Sequence, residues 1–148
     1  MLTQQEADYL IELLKKLINE QISFPTPSAK LSFELRAMDN KESFLLDINR
    51  TGRIKSNKCT YQCRYKKEHT LLRLDVNASP HTNPDGTIVS GNHLHIYREG
   101  FGDKFAIEFS GLPIESTIDL INTLRSFLTQ CNVDISKLHI QGGMFDDT

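Results

Sequence analysis

The sequence predicts an α+β fold: an antiparallel β-sheet of about five to six strands with an N-terminal and a C-terminal helix covering one face. Three observations predict it. A helical apolar spacing opens the chain, a two-residue alternation takes over at Lys30, and the strand-like segments follow one another through connections too short for βαβ crossovers. With 148 residues, 39% of them hydrophobic and 24% charged, the chain reads as one domain over residues 1–148 with enough apolar side chains for a core.

The elements follow in order. Thr3-Gln4-Gln5-Glu6 is a capping box, and Ala7, Leu10, Leu13, Leu14, Leu17 and Ile18 recur at helical spacing, so a helix is expected from about Gln4 to Gln21. Pro25 and Pro27 end it. Leu31, Phe33 and Leu35 alternate with Ser32, Glu34 and Arg36, the mark of a strand with one buried face. After the turn at Asp39-Asn40-Lys41, strands are expected over 43–49, 53–65 and 70–76. Residues 77–91, rich in Pro, Gly, Asn and Ser, read as a long loop. Two further strands, 93–98 and 104–109, precede a helix whose stripe is Ile118, Ile121, Leu124, Phe127 and Leu128. Residues 142–148 read as a frayed acidic tail.

Composition excludes several classes. No apolar run is long enough to span a membrane, and Glu6 and Asp8 stand where a secretory signal needs basic residues. An odd count of three cysteines fits a cytoplasmic chain with free thiols, and Cys59, Cys63 and Cys131 read as packing residues because no activating partner accompanies them.

Charge is uneven. The chain carries a formal −2, yet Arg50, Arg53, Lys55, Lys58, Arg64, Lys66, Lys67 and Arg73 face a single acid, Glu68, over 24 residues. Tyr61 and Tyr65 lie among them. Cations release counterions from phosphates and aromatic rings stack on bases, so this segment is expected to bind RNA or another polyanion.

The expected chemistry centres on His93-Leu94-His95-Ile96-Tyr97. Strand parity puts His93, His95 and Tyr97 on one face, with Leu94 and Ile96 turned to the core. Arg73 and Lys104 fall on the same polar face by the same parity, and the loop bearing His81, Asn83 and Asp85 leads into it and can bring a third imidazole over it. Cleavage of an RNA phosphodiester needs a base, an acid and cations for the phosphorane charge, and these side chains supply each type. A metal site ranks lower. His93-x-His95-x3-Glu99 copies half of a cupin motif, and His81 can add a ligand, but the second half is missing downstream. No metal or other cofactor is therefore expected. The competing reading is a non-catalytic inhibitor of a host or defence protein, and a cognate antitoxin is an expected partner if the chain is a toxin.

Two resemblances bear on this. The helix-then-antiparallel-sheet order is similar to small ribonucleases and toxins of the barnase and RelE-like kind, an analogy of architecture alone. The stretch Pro80-His81-Thr82-Asn83-Pro84-Asp85-Gly86, with 93–104, resembles a small family of uncharacterised bacterial and prophage proteins. That resemblance implies a bacterium or its mobile elements, where proteins of this size are often toxins, antitoxins or anti-defence factors. It lends no catalytic residue.

Overall fold

A computed structural model describes residues 1–39, 41–51, 57–109 and 113–142. In chain order the elements are α1 (Gln4–Glu12), β1 (Lys15–Leu17), β2 (Gln21–Ser23), β3 (Lys30–Ala37), β4 (Ser43–Asn49), β5 (Cys59–Tyr65), β6 (His69–Val76), β7 (His81–Thr82), β8 (Ile88–Val89), β9 (His93–Ile96), β10 (Ala106–Glu108), α2 (Thr117–Gln130) and β11 (His139–Gln141). The α+β class is as expected. The main sheet has seven strands rather than five or six, in the order β1-β3-β4-β5-β6-β9-β10, with every pairing antiparallel. Two small ladders lie outside it: β7 with β8, and a parallel pair of β2 with β11.

The first helix stops nine residues earlier than its spacing predicts. Its start is as read, with Thr3 accepting from the Glu6 amide and Glu6 from the Thr3 amide. Beyond Glu12 the chain turns into β1, which pairs with β3 from Lys15–Ala37 to Leu17–Leu35 and buries alternate residues. Leu13, Leu14, Leu17 and Ile18 fit a helical stripe, but sheet hydrogen bonds and burial of Leu17 outweigh that weak preference. Lys15 fixes the break. Its buried ammonium donates to the carbonyls of Ile11 and Leu13 at the end of α1 (both 2.9 Å) and of Cys131 at the end of α2 (2.8 Å). A cation suits two helix C-termini, and all three of its N–H groups are used. Burial pushes the Lys15 pKa down.

The core lies on one face of the sheet. Phe44, Leu46 and Ile48 of β4, Tyr61 and Cys63 of β5, Leu72 and Leu74 of β6 and Leu94 of β9 join Leu120, Leu124, Phe127 and Leu128 of α2. The α2 stripe is rotated from the expected one: Leu120 is buried while Ile118 is exposed. A bulge between Cys63 and Arg64 leaves Leu71 as the extra residue of β6, so Leu71 and Leu72 are both buried without shifting Leu72, Leu74 and Val76 off the core face. The three cysteines are free and buried. No helix among the described residues is long and apolar enough to cross a membrane. The acidic tail beyond Gly142 lies outside the described residues.

Candidate functional site

The opposite face of the sheet is polar, and register assembles its centre. Arg73 pairs with His95 and Asp75 with His93 between β6 and β9; across β9, His95 pairs with Ala106 and His93 with Glu108 of β10. Residues two apart share a face, so one carboxylate meets two imidazoles. His93 Nε2 lies 3.1 Å and His95 Nε2 3.0 Å from the same oxygen, Asp75 Oδ2. Arg73 stands beside them, with Nη2 at 3.0 Å from His95 Nε2 and Nη1 donating to Asp103 Oδ2 at 2.6 Å. The Thr60 hydroxyl donates to Asp75 Oδ1.

The connection from β6 to β9 folds back over this centre. Its base closes where the Ala78 amide donates to the Gly91 carbonyl at 3.0 Å. A Cβ at position 91 would stand 2.1 Å from the Ala78 oxygen, so only glycine fits this crossing. The Asn83 carboxamide then grips Ala106 of β10 twice, accepting its amide at 2.8 Å and donating to its carbonyl at 2.9 Å. Held this way, the His81 ring centroid lies 4.7 Å from that of His95 and 5.5 Å from that of His93. The polar face therefore does not expose its histidines as parity alone predicts. His93 is 3% and His95 1% exposed.

Each imidazole has one nitrogen committed to a main-chain carbonyl, which only accepts, so that nitrogen carries the hydrogen. His93 Nδ1 donates to Ser90 O (2.6 Å), His95 Nδ1 to Asp103 O (2.7 Å) and His81 Nε2 to Lys104 O (2.7 Å). The Nε2 atoms of His93 and His95 turn to Asp75, and one ligating nitrogen of each of the three residues lies within 4.8 Å of the others. Burial by itself would raise the Asp75 pKa; the hydrogen bond from His95, the Arg73 charge and the Thr60 hydroxyl outweigh it and hold the carboxyl at about 2. His81, His93, His95 and Asp75 are thus the residues able to hold a cation.

Several expected site residues stand elsewhere. Tyr97 follows the last residue of β9 and leaves the alternation; its hydroxyl donates to Leu2 O and its ring is buried against the core. Lys104 contributes its carbonyl, while its side chain is exposed. Asp85 caps its own turn by accepting from Thr87. Glu99 accepts from the Gln4 amide at the start of α1, so the half-cupin pattern does not assemble.

The expected polyanion surface breaks up as well. Tyr61 is fully buried with its hydroxyl donating to Leu120 O, and Tyr65 is buried against Phe44. Arg50 is buried and donates to Pro25 O. Arg64 pairs with Asp47, and Arg73 with Asp75 and Asp103. Lys58, Lys66 and Lys67 are exposed; Arg53 and Lys55 lie outside the described residues. The apolar positions of β5 took these aromatics into the core, and carboxylates of β4, of β6 itself and of the turn after β9 took Arg64 and Arg73. The two residues that complete the centre, Asp75 and Asp103, were not among the expected site residues. Asp75 carries a signal, since it shares the parity of Arg73; Asp103 reaches Arg73 only through the turn after β9 and carries none.

The fold and this centre define an α+β protein with a histidine–aspartate cluster locked under a loop. The chain belongs to a family of unknown function, DUF6978, whose model matches residues 2–133. The match takes in every residue of the cluster. No curated protein and no solved structure matches the chain.

Proposed function

We propose that this protein cleaves phosphodiesters, with RNA as the substrate class, through the centre formed by Asp75, His93, His95 and Arg73. One observation carries the reading: a buried carboxylate flanked by two imidazole nitrogens, with a guanidinium alongside that keeps 28% of its side-chain surface open. Clusters of strongly interacting titratable groups mark functional sites more often than they serve packing. Imidazoles relay protons near neutral pH, and Arg73, by exchanging Asp103 for a phosphate, is the group that meets developing phosphorane charge. In the bacterial or mobile-element setting the family resemblance implies, such a protein acts as a growth-inhibiting toxin.

The test is cleavage of a mixed RNA pool by purified protein, wild type against Arg73→Gln. Expected is cleavage in the first and a loss of about a hundredfold or more in the second, with the fold retained by circular dichroism. A folded wild-type protein that leaves the RNA intact overturns the reading. A second reading, non-catalytic inhibition of a host or defence protein, is favoured by the burial of His93 and His95, which keeps both rings from direct contact with a bulky polymer. It predicts intact RNA and a growth phenotype indifferent to Arg73→Gln.

A further inference from the structure

We propose that His81, His93, His95 and Asp75 form a binding site for one divalent transition-metal ion of the zinc class. The proposal stands on the geometry of the four side chains and does not depend on the phosphodiester reading.

The first argument is orientation. A metal-bound imidazole almost always donates its other ring N–H to a carbonyl or carboxylate, which fixes the tautomer and aims the lone pair. All three histidines meet that condition with main-chain carbonyls from two segments, Ser90 before β9 and the adjacent Asp103 and Lys104 after it. One ligating nitrogen of each ring lies within 4.8 Å of the others, and the Nε2 atoms of His93 and His95 meet at Asp75 Oδ2. Packing alone gives no reason for three buried or half-buried rings to share this arrangement.

The second argument is charge. The Nε2 atoms of His93 and His95 face one carboxylate oxygen, Asp75 Oδ2, at 3.1 and 3.0 Å. Arg73 Nη2 donates to the same oxygen at 3.4 Å and lies 3.0 Å from His95 Nε2. A carboxylate oxygen with two ring nitrogens turned to it is a donor set that one divalent ion can bridge.

The third argument is size. Ligands around a tetrahedral ion with bonds of about 2.0–2.1 Å stand roughly 3.3 Å apart. The Asp75–His93 and Asp75–His95 separations are already near that value. His81 stands in β7, on the connection that Asn83 fastens to β10. Two strands thus supply a rigid half-site of Asp75, His93 and His95, and the loop closes it with His81. Nitrogen donors with one carboxylate suit zinc, cobalt or nickel over magnesium or calcium.

In this proposal Asp75 of β6 stands where the half-cupin pattern puts Glu99, which instead accepts from the Gln4 amide.

The test is titration of purified full-length protein, stripped with chelator, with zinc alone and with cobalt alone, followed by calorimetry and by the visible absorption of tetrahedral cobalt. Expected are one ion per chain, the tetrahedral cobalt spectrum and a rise in melting temperature on zinc addition. His81→Ala changes a loop residue outside the core and is expected to stay folded while losing at least about tenfold in zinc affinity. Asp75→Asn is expected to do the same. His139→Ala is the control and should change nothing, since His139 is exposed on β11. Wild-type protein that takes up neither ion at micromolar concentration overturns the proposal, as does His81→Ala binding zinc as tightly as wild type. RNA cleavage by protein that takes up neither ion would leave the phosphodiester reading standing and remove this one; metal uptake without cleavage would do the reverse.

Discussion

Asp47 and Asp75 are carboxylates on the same polar sheet face, two strands apart, and they are served in opposite ways. Asp47 of β4 accepts from the Ser32 hydroxyl, the Gln62 amide and the Arg64 guanidinium, every one a group with a hydrogen to give. Its network is closed and explains itself as sheet stabilisation. Asp75 accepts from Thr60 and, at 3.4 Å, from Arg73, and its remaining neighbours are two imidazoles that each also hold a main-chain carbonyl. Burial and a low pKa are common to both, so neither by itself marks a site. The paired imidazoles separate them.

The comparison breaks first if the sheet does not hold its two faces apart. Leu94 sits between His93 and His95 and points into the core. Leu94→Asp buries a carboxylate among apolar groups and is expected to cost about 3 kcal/mol or more, enough to unfold most of the population in a urea titration. Next come the histidines. His95→Ala removes a ring bonded on both sides and nearly inaccessible, so in metal-free protein it is expected to cost about 1–3 kcal/mol, against the near-zero cost of a solvent-facing histidine.

Asp47→Asn sharpens the contrast. It is expected to lower stability at neutral pH by about 1 kcal/mol through the weakened Arg64 pair, while leaving zinc affinity within about twofold of wild type. The pH profile gives the same contrast a sign. Burial alone would raise the Asp47 pKa, but hydrogen bonds from Arg64, Ser32 and Gln62 lower it overall. A carboxyl lowered on folding stabilises above its unfolded value, near 4, and loses that contribution as pH falls through the folded one. Urea midpoints from pH 6 down to pH 2 should therefore fall less steeply in Asp47→Asn than in wild type. The smallest effect is expected at the β5–β6 turn, where Lys67 meets the Asp47 network through its main-chain carbonyl, which accepts from Arg64, and both lysine side chains are exposed. Reversing both to Glu should change stability by no more than about 0.5 kcal/mol and leave metal uptake intact, while RNA affinity, if carried by these lysines, drops and loses salt dependence.

Much of the fold was legible because its periods are clean. The Thr3 capping box is a local signal, while the alternation of β3 and the shared parity of Arg73 with His93 and His95 follow from side-chain direction along a strand. The failures share a cause. Residues 13–18 satisfy a helical and a strand pattern together, and only the edge of β3 decides between them. The basic run around Tyr61 and Tyr65 reads as a surface because composition carries no information on which neighbour a cation faces; Asp47, Asp75 and Asp103 come from other strands and turns. The three histidines of the cluster were visible, two by spacing and His81 by the loop that leads into their strand, while the Asp75 carboxylate they share was not singled out.

Asn83 has a consequence beyond the placing of His81. β10 is the last strand of the sheet, and an outermost strand offers main-chain groups on which another chain can add itself. By presenting a carboxamide to both the amide and the carbonyl of Ala106, Asn83 imitates one residue of that incoming strand and occupies its place. The imitation is one residue long and cannot propagate. The sheet thus ends on a side chain of its own molecule, and the region of exposed Ile88 and Ile107 is denied the ladder through which it would otherwise polymerise.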